Sequence, residues 1–430
     1  MQPCITLISL TQIADSHGGF ASLPLILPLA IFAATYFVIA AGKLPYLKLD
    51  RTGAALAGAV AMVLAGVLSR RQALAAIDFR TLALLLGMMI VVANLRLSGA
   101  FTKAARGLLL RAHSGFGLLA MTIAAAGILA AFFINDVVCL ALAPLLIDVS
   151  RALDVSPLPY LIALATAANI GSVATITGNP QNMIVAGFAH LSYGGFATRL
   201  APLAVVGLVV NYVIVATLYR NQLRGVRLER ANAAPPRLRV SRGYLVRSTL
   251  IALGVLGGFI AGLPTDLVAI AAGAVSLFTR RIKPARVYKL IDWTLLLMFA
   301  GLFIVVAGAE QTGVQDRIVA AIGSHRLLNL AVLTAVTAIL SNLVSNVPAV
   351  MLFRPLYRSY HWNREAALVI ASASTLAGNL TILGSITNLI VVEAARREQI
   401  TISFAEYMRA GVPLTIITLA IEIVMLHAGI

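Results

Sequence analysis

Apolar runs, several close to twenty residues long, recur along the chain from Leu23 to His427. As α-helices, runs of that length match the hydrocarbon thickness of a bilayer. They are too continuous for barrel strands, which alternate in polarity. Only 11% of the residues are charged, where a soluble domain carries about a quarter. The chain therefore reads as an all-α polytopic membrane protein. Its formal charge of +17 does not point to nucleic acid, because Lys and Arg cluster in short loops between the runs, where they set topology. The first basic residue is Lys43. A basic n-region is thus missing, and the first spanning helix is expected to serve as the insertion signal.

The hydropathy pattern predicts crossings near 23–41, 52–68, 81–98, 158–190, 199–219, 245–262, 264–279, 291–309, 365–395 and 407–428. Two further segments read differently. Leu327–Leu340 is apolar, "SNLVSNVP" follows, and only Ala349–Phe353 precedes Arg354. Neither arm reaches the roughly 20 residues of a crossing, so a re-entrant helical hairpin fits better. Gly115–Ile134, Asn135-Asp136 and Val137–Ile147 form its counterpart; its first arm is long enough to span alone, but the repeat argues for a hairpin again.

The two halves look duplicated. "LLGMMIVVA" from Leu85 matches "MFAGLFIVVA" ending at Ala307, and "AGAV" occurs at Ala57 and Ala272. "TITGNPQNMIV" and "TILGSITNLIV" share 6 of 11 positions. Matches in one order at near-constant spacing predict two repeats, each of five crossings plus one hairpin. Five is odd, so the second repeat is inverted relative to the first. The expected organisation is an N-terminal segment (1–22), a first inverted repeat (23–219), a cytoplasmic basic linker (220–244) and a second inverted repeat (245–430). With both termini outside, 24 of the 33 Lys and Arg residues fall in cytoplasmic segments, which supports that orientation in a bacterial-type inner membrane.

"TITGNPQNM" (Thr175–Met183) lies in one of the most apolar regions. Pro180 removes a helical N–H and clashes with the preceding turn, and Gly178 is expected to let the backbone open. The result is a helix broken at the membrane midplane. "TILGSITNL" (Thr381–Leu389) is the second break, with Gly384 and Ser385 in place of proline. Each string alone is either a kink satisfied by neighbours or a binding site. Their duplication favours the site, because facing half-helix ends offer carbonyls to cations and N–H groups to anions. Hairpin tips entering from opposite faces can meet the two breaks. The predicted substrate cradle is Asn135, Thr175, Gly178, Asn179, Asn182, Ser345, Asn346, Thr381, Gly384, Ser385 and Asn388. Asp136 is the one acid at a tip. An intramembrane carboxylate is a functional candidate: a proton carrier, a sodium ligand, or an N-cap of the second arm.

Other features read as structural. Asp78 and Asp292 begin equivalent helices as caps. Asp148 and Arg151 are expected to pair at the interface, Arg354 to snorkel or attract an anion, and "GVLGG" (Gly254–Gly258) to mark close helix packing. Cys4 and Cys139 form no disulfide framework. Neither HExxH nor a Walker loop is present, and no nucleophile–base pair suggests an enzyme. No metal or other cofactor is implied beyond Na+ or H+ as coupling ion.

The tips "INDVVCLALAPLLID" and "SNVPAVML" and the breaks "TITGNPQNM" and "TILGSITNLIV" resemble the ion transporter superfamily. It includes arsenite efflux pumps, sodium/proton antiporters, citrate transporters and divalent anion/sodium symporters. The resemblance covers nearly the whole chain and is nearest the arsenite-pump-like anion permease branch. It implies a dimerising scaffold, a transport part that slides as an elevator, and sodium sites at the Asn135 and Asn346 tips. The first tip reads Ile-Asn-Asp and the second Ser-Asn-Val, unlike the paired Ser-Asn-Thr of dicarboxylate symporters. Two cysteines cannot form a three-thiolate arsenic site, so arsenite would travel as the neutral hydroxide. The expected function is gradient-driven transport of a small anion or polar inorganic solute. Arsenite or antimonite efflux leads, with an accessory ATPase subunit if the chain is an arsenite pump. A citrate, dicarboxylate or sulfate permease, a sodium/proton antiporter and a solute channel are the alternatives.

Overall fold

A computed structural model describes residues 26–41, 49–109, 112–224, 226, 241–313, 329–359 and 362–428. The segment 1–22, Cys4 and most of the basic linker lie outside the described residues. The longer helices are α1 Ile26–Ala41, α2 Arg51–Leu64, α3 Phe79–Leu97, α4 Ala100–Leu109, α5 Gly115–Phe132, α6 Asn135–Ala152, α7 Leu158–Ser172, α8 Pro180–Phe188 and α9 Tyr193–Leu218 in the first half. The second half has α10 Arg242–Ile260, α11 Thr265–Leu277, α12 Trp293–Glu310, α13 Leu330–Val344, α14 Asn346–Ser359, α15 Arg364–Ala377, α16 Ile386–Arg397 and α17 Phe404–His427. Six of these, α3, α5, α9, α10, α12 and α17, are long and apolar enough to cross a membrane. The chain is an all-helical polytopic membrane protein.

Local chemistry sets the boundaries. Asp78 caps α3, its carboxylate accepting from the N–H groups of Arg80 (3.1 Å) and Thr81 (3.2 Å). Asp292 caps α12 through Leu295 N–H (2.9 Å). Both meet the expectation for a helix start. The segments 158–190 and 365–395 are not continuous helices. Each splits at its polar string, into α7 and α8 and into α15 and α16.

The helices pack in two groups. α1–α3 and α10–α12 form one, through α3 on α11 and α2 on α12. α5–α9 and α13–α17 form the other, around α7 and α15. Residues Pro159–Ser172 and Ala366–Ala377 are buried on every side, as expected for helices apolar all round. The groups touch where α8 meets α3 and α14 meets α12.

Two glycines fix the first group. A Cβ on Gly87 would lie 2.3 Å from the Ala269 carbonyl carbon, and one on Gly301 would lie 2.8 Å from that of Ala55. Backbone cannot yield as a flexible side chain can. Gly87→Val is therefore expected to cost about 3 kcal/mol, read as a lower unfolding temperature in detergent. Gly254→Ala is the control, because a Cβ there meets nothing within 4 Å. That finding corrects the reading of "GVLGG": Gly254 and Gly257 face open space, and only Gly258 approaches a neighbour, Val268 at 3.1 Å.

Candidate functional site

The first break begins where α7 ends at Ser172 and closes with Asn179 as the N-cap of α8. Pro180 is the first residue of α8, a position whose N–H needs no helical partner. It starts the second half-helix rather than kinking a continuous one. Gly178 is required for a different reason from the one expected. A Cβ there would lie 2.1 Å from Ser172 O, so the residue is needed for close approach rather than backbone freedom. Gly384 is likewise pressed against Gly378 O and Asn342 Oδ1, both 2.9 Å from an added Cβ.

Each break is clasped by one asparagine. Asn182 Nδ2 donates to Ser172 O (3.0 Å) and Thr175 O (2.9 Å). Asn388 Nδ2 donates to Gly378 O (2.8 Å) and Thr381 O (3.0 Å). The acceptors lie ten and seven residues upstream in both cases. Opening a helix frees carbonyls that must find donors when buried, and one amide supplies both bonds. The caps also match: Asn179 Oδ1 accepts from Asn182 N–H (2.8 Å) and Ser385 Oγ from Thr387 N–H (3.2 Å).

The halves are then cross-bonded. Asn169 on α7 donates to Asn388 Oδ1 (3.0 Å) and Asn379 Oδ1 (2.9 Å), and accepts from Ser385 Oγ (3.1 Å). In the other direction Thr375 Oγ1 on α15 accepts from Asn179 Nδ2 (3.2 Å) and Gln181 Nε2 (3.1 Å). Both hairpin tips join. Asn135 Nδ2 donates to Asn169 Oδ1 (3.0 Å), and the Asp136 carboxylate accepts from Thr387 Oγ1. With its nitrogen turned to Gly384 O (3.2 Å), the Asn346 amide accepts from Gln181 Nε2 (3.3 Å). Thr175 Oγ1 bonds Ala131 O at the base of the first tip. Ser345, at φ +77°, makes the turn of the second hairpin.

The structure therefore brings Asn135, Asp136, Asn179, Asn346, Ser385 and Asn388 into one connected network. Asn182 and Thr381 support its walls, Thr175 ties its break to a tip, Gly178 and Gly384 allow its close approaches, and Ser345 sets a tip. Asp136 is not an N-cap: Ile134 holds that position. Asn169, Asn379 and Thr375 are members that the sequence reading missed, while Gln181 and Thr387, polar residues of the two breaks, join the network although they stood outside the predicted cradle. For Asn169 the available signal was an amide on a helix apolar on every other face.

Two further expectations change. Arg151 pairs with Glu398 (2.5 Å) at the end of α16, not with Asp148. Arg354 does not snorkel: it is 8% exposed and lies over the Phe303 ring at 4.9 Å. Cys139 is buried, with its thiol near Leu164 O (3.9 Å).

Cavities flank the network on two sides. One of about 250 Å³ is lined by Arg51, Asp292, Ser345, Pro348 and Ile386, at the second tip and the second break. Another of about 550 Å³ reaches Ile176 and Met183 of the first break, with Asp78, Arg80 and Tyr193 at its wall. Asn169, Asn179, Asn182 and Asn388 between them are fully buried.

Known proteins resemble this chain along most of its length. The silicon efflux transporter LSI3 of Oryza sativa is 27% identical, over 94% of this chain and 98% of its own. The putative transporter arsB of Dictyostelium discoideum is 22% identical, over 88% of this chain and 87% of its own. The YdaH transporter structure from Alcanivorax borkumensis superposes with a TM-score of 0.57 at 15% identity, covering 95% of this chain and 98% of that one. The CitMHS model, described as citrate transporter, matches residues 34–361. The chain thus belongs to the CitMHS citrate transporter family of the ion transporter superfamily, and it is a membrane transporter rather than an enzyme.

Proposed function

We propose that the chain is a secondary active transporter that exports a neutral metalloid hydroxide, such as arsenite or antimonite, by coupling to a proton or sodium gradient. The composition of the network carries this reading. Among the described residues, the side chains that meet there are amides, hydroxyls and one carboxylate, Asp136. Such a set suits an uncharged polyhydroxy solute, which offers both donors and acceptors. A multiply charged anion would leave its charge uncompensated in a buried site. The silicon efflux relative extends the candidates to silicic acid, which has the same neutral hydroxide chemistry.

The matched clasps at Asn182 and Asn388, the reciprocal bonds of Asn169 and Thr375, and the Gly87 and Gly301 crossings support two inverted repeats around a midplane site. The two helix groups support an elevator. In this reading α1–α3 and α10–α12 stay fixed and dimerise, and the rest slides past them with the solute. The protein sits in a plasma membrane with both termini outside.

A second reading is a carboxylate permease. The family description favours it, as do the N-termini of α6, α8, α14 and α16 at the network, where helix dipoles attract anions. Flux into everted vesicles separates the two. Arsenite, antimonite, silicic acid, citrate, succinate and sulfate are compared with sodium and pH gradients varied independently. Arsenite or silicic acid accumulation driven by one gradient is the expected result. Citrate uptake without movement of any metalloid hydroxide would overturn it, and ungated conductance would make the protein a channel.

A further inference from the structure

Glu422 lies on α17 with its side chain fully buried, and the network around Asn169 does not include it. Its place is paired across the halves. Thr166 on α7 meets Asn211 on α9, Oγ1 to Oδ1 3.0 Å. Ser372 on α15 meets Glu422 on α17 in the same way. Where the first half carries an amide, the second carries an acid.

Hydrogen counting at Ser372 favours a protonated acid. The Ser372 hydroxyl has one proton and two oxygens within reach, Leu368 O at 2.6 Å and Glu422 Oε1. It can donate to one of them, not to both. Both contacts are satisfied when Glu422 carries a proton and donates to Ser372 Oγ, which then donates to Leu368 O. Among the described residues Glu422 Oε2 has no hydrogen-bond partner, so the group is not arranged as a cation chelate, which would gather both carboxylate oxygens and several further oxygen ligands.

Among the described residues, the elements packed around Glu422 offer no counter-charge. α17 packs against α9, α15, α13, α7 and the turn at Ile382–Gly384. α13 and the turn carry no titratable side chain. α15 carries Arg364 and Glu365 at its start. α9 carries Arg199, which pairs with Glu365 (3.5 Å), together with Tyr193 and Tyr212, and α7 carries Tyr160. On α17 itself stand Glu406, Tyr407, Arg409 and His427. None of these bonds the Glu422 carboxyl.

We infer that Glu422 is a proton-binding site of the transport cycle, loaded in this conformation and linked to the solute network through α15. The link is short. Ser372 is one turn before Thr375, which accepts from Asn179 and Gln181 of the first break. Loss of the proton would leave a buried, unpaired carboxylate, a state that favours separation of α15 from α17 and entry of water.

This rests on the transporter reading, and the test separates the two. Arsenite and citrate flux in proteoliposomes is measured at equal pH on both faces, across acid to alkaline values, for wild type and Glu422→Gln. Gln keeps an N–H for Ser372. Wild-type flux is expected to change at least tenfold across the range and that of E422Q to be flat. An unaltered pH profile in E422Q overturns the inference. Infrared difference spectra decide it without any solute. A protonated-carboxyl band that titrates in wild type and is absent from E422Q supports it, and a band unmoved by pH marks a permanently neutral acid and sinks it. Absence of flux for every solute would count against the transporter reading alone.

Discussion

Replacing Asn182 and Asn388 together with alanine is expected to abolish transport, and each single substitution to reduce it at least tenfold. Each amide bonds two carbonyls freed by a break. A buried acceptor left without its donor costs about 1–3 kcal/mol, so each break loses a few kcal/mol and the half-helices lose their register. Flux and the unfolding temperature in detergent should fall together. Aspartate at either position sharpens the test. It retains oxygens for a cation but removes both N–H donors. A clasp predicts that Asn388→Asp is as damaging as alanine, whereas a direct cation ligand would tolerate it. Wild-type flux in both alanine variants would show that the breaks hold without their amides.

Asp136→Asn should lower gradient-driven flux at least tenfold and remove its dependence on the coupling ion. Asp136 brings the charged group of the first tip onto Thr387 of the second break, so a cation or proton held there is sensed by both halves. The amide is nearly isosteric and can still bond the Thr387 hydroxyl. A large loss would therefore report charge rather than packing. Flux that still follows the proton or sodium gradient in the variant would reduce Asp136 to a structural partner of Thr387. The assay is the everted-vesicle measurement with each gradient applied alone.

Much of this site was legible in the sequence. "TITGNPQNM" and "TILGSITNL" are conspicuous because polar residues in an apolar run need partners, and their duplication told breaks from accidental kinks. The tips at Asn135 and Asn346 were legible because neither arm of the second hairpin could cross a bilayer. What the sequence concealed lies mainly in pairings between distant segments. Asn169 meets Asn388 and Ser385, and Arg151 meets Glu398, over separations that no local period encodes. The Asp148–Arg151 expectation used the nearest opposite charge on one helix, yet α16 packs on α6 and brings a better partner. Gly178 shows a second limit. Sequence marks a glycine as permissive, but only the fold reveals that its missing Cβ makes room for Ser172 O. Glu422 was hidden for the same reason, because an acid deep in an apolar stretch announces burial without naming its neighbour.

The reciprocal bonding between halves bears on how the protein is made. When the first half leaves the ribosome, Asn169, Asn179 and Gln181 have no Ser385, Asn388 or Thr375 to meet. Helix insertion can proceed, but the polar interior of the first half stays unfinished until the last helices have been synthesised. Nascent chains stopped at the basic linker should thus be open to water and to quality-control proteases. Two separately encoded halves should accumulate only when both are produced in the same membrane.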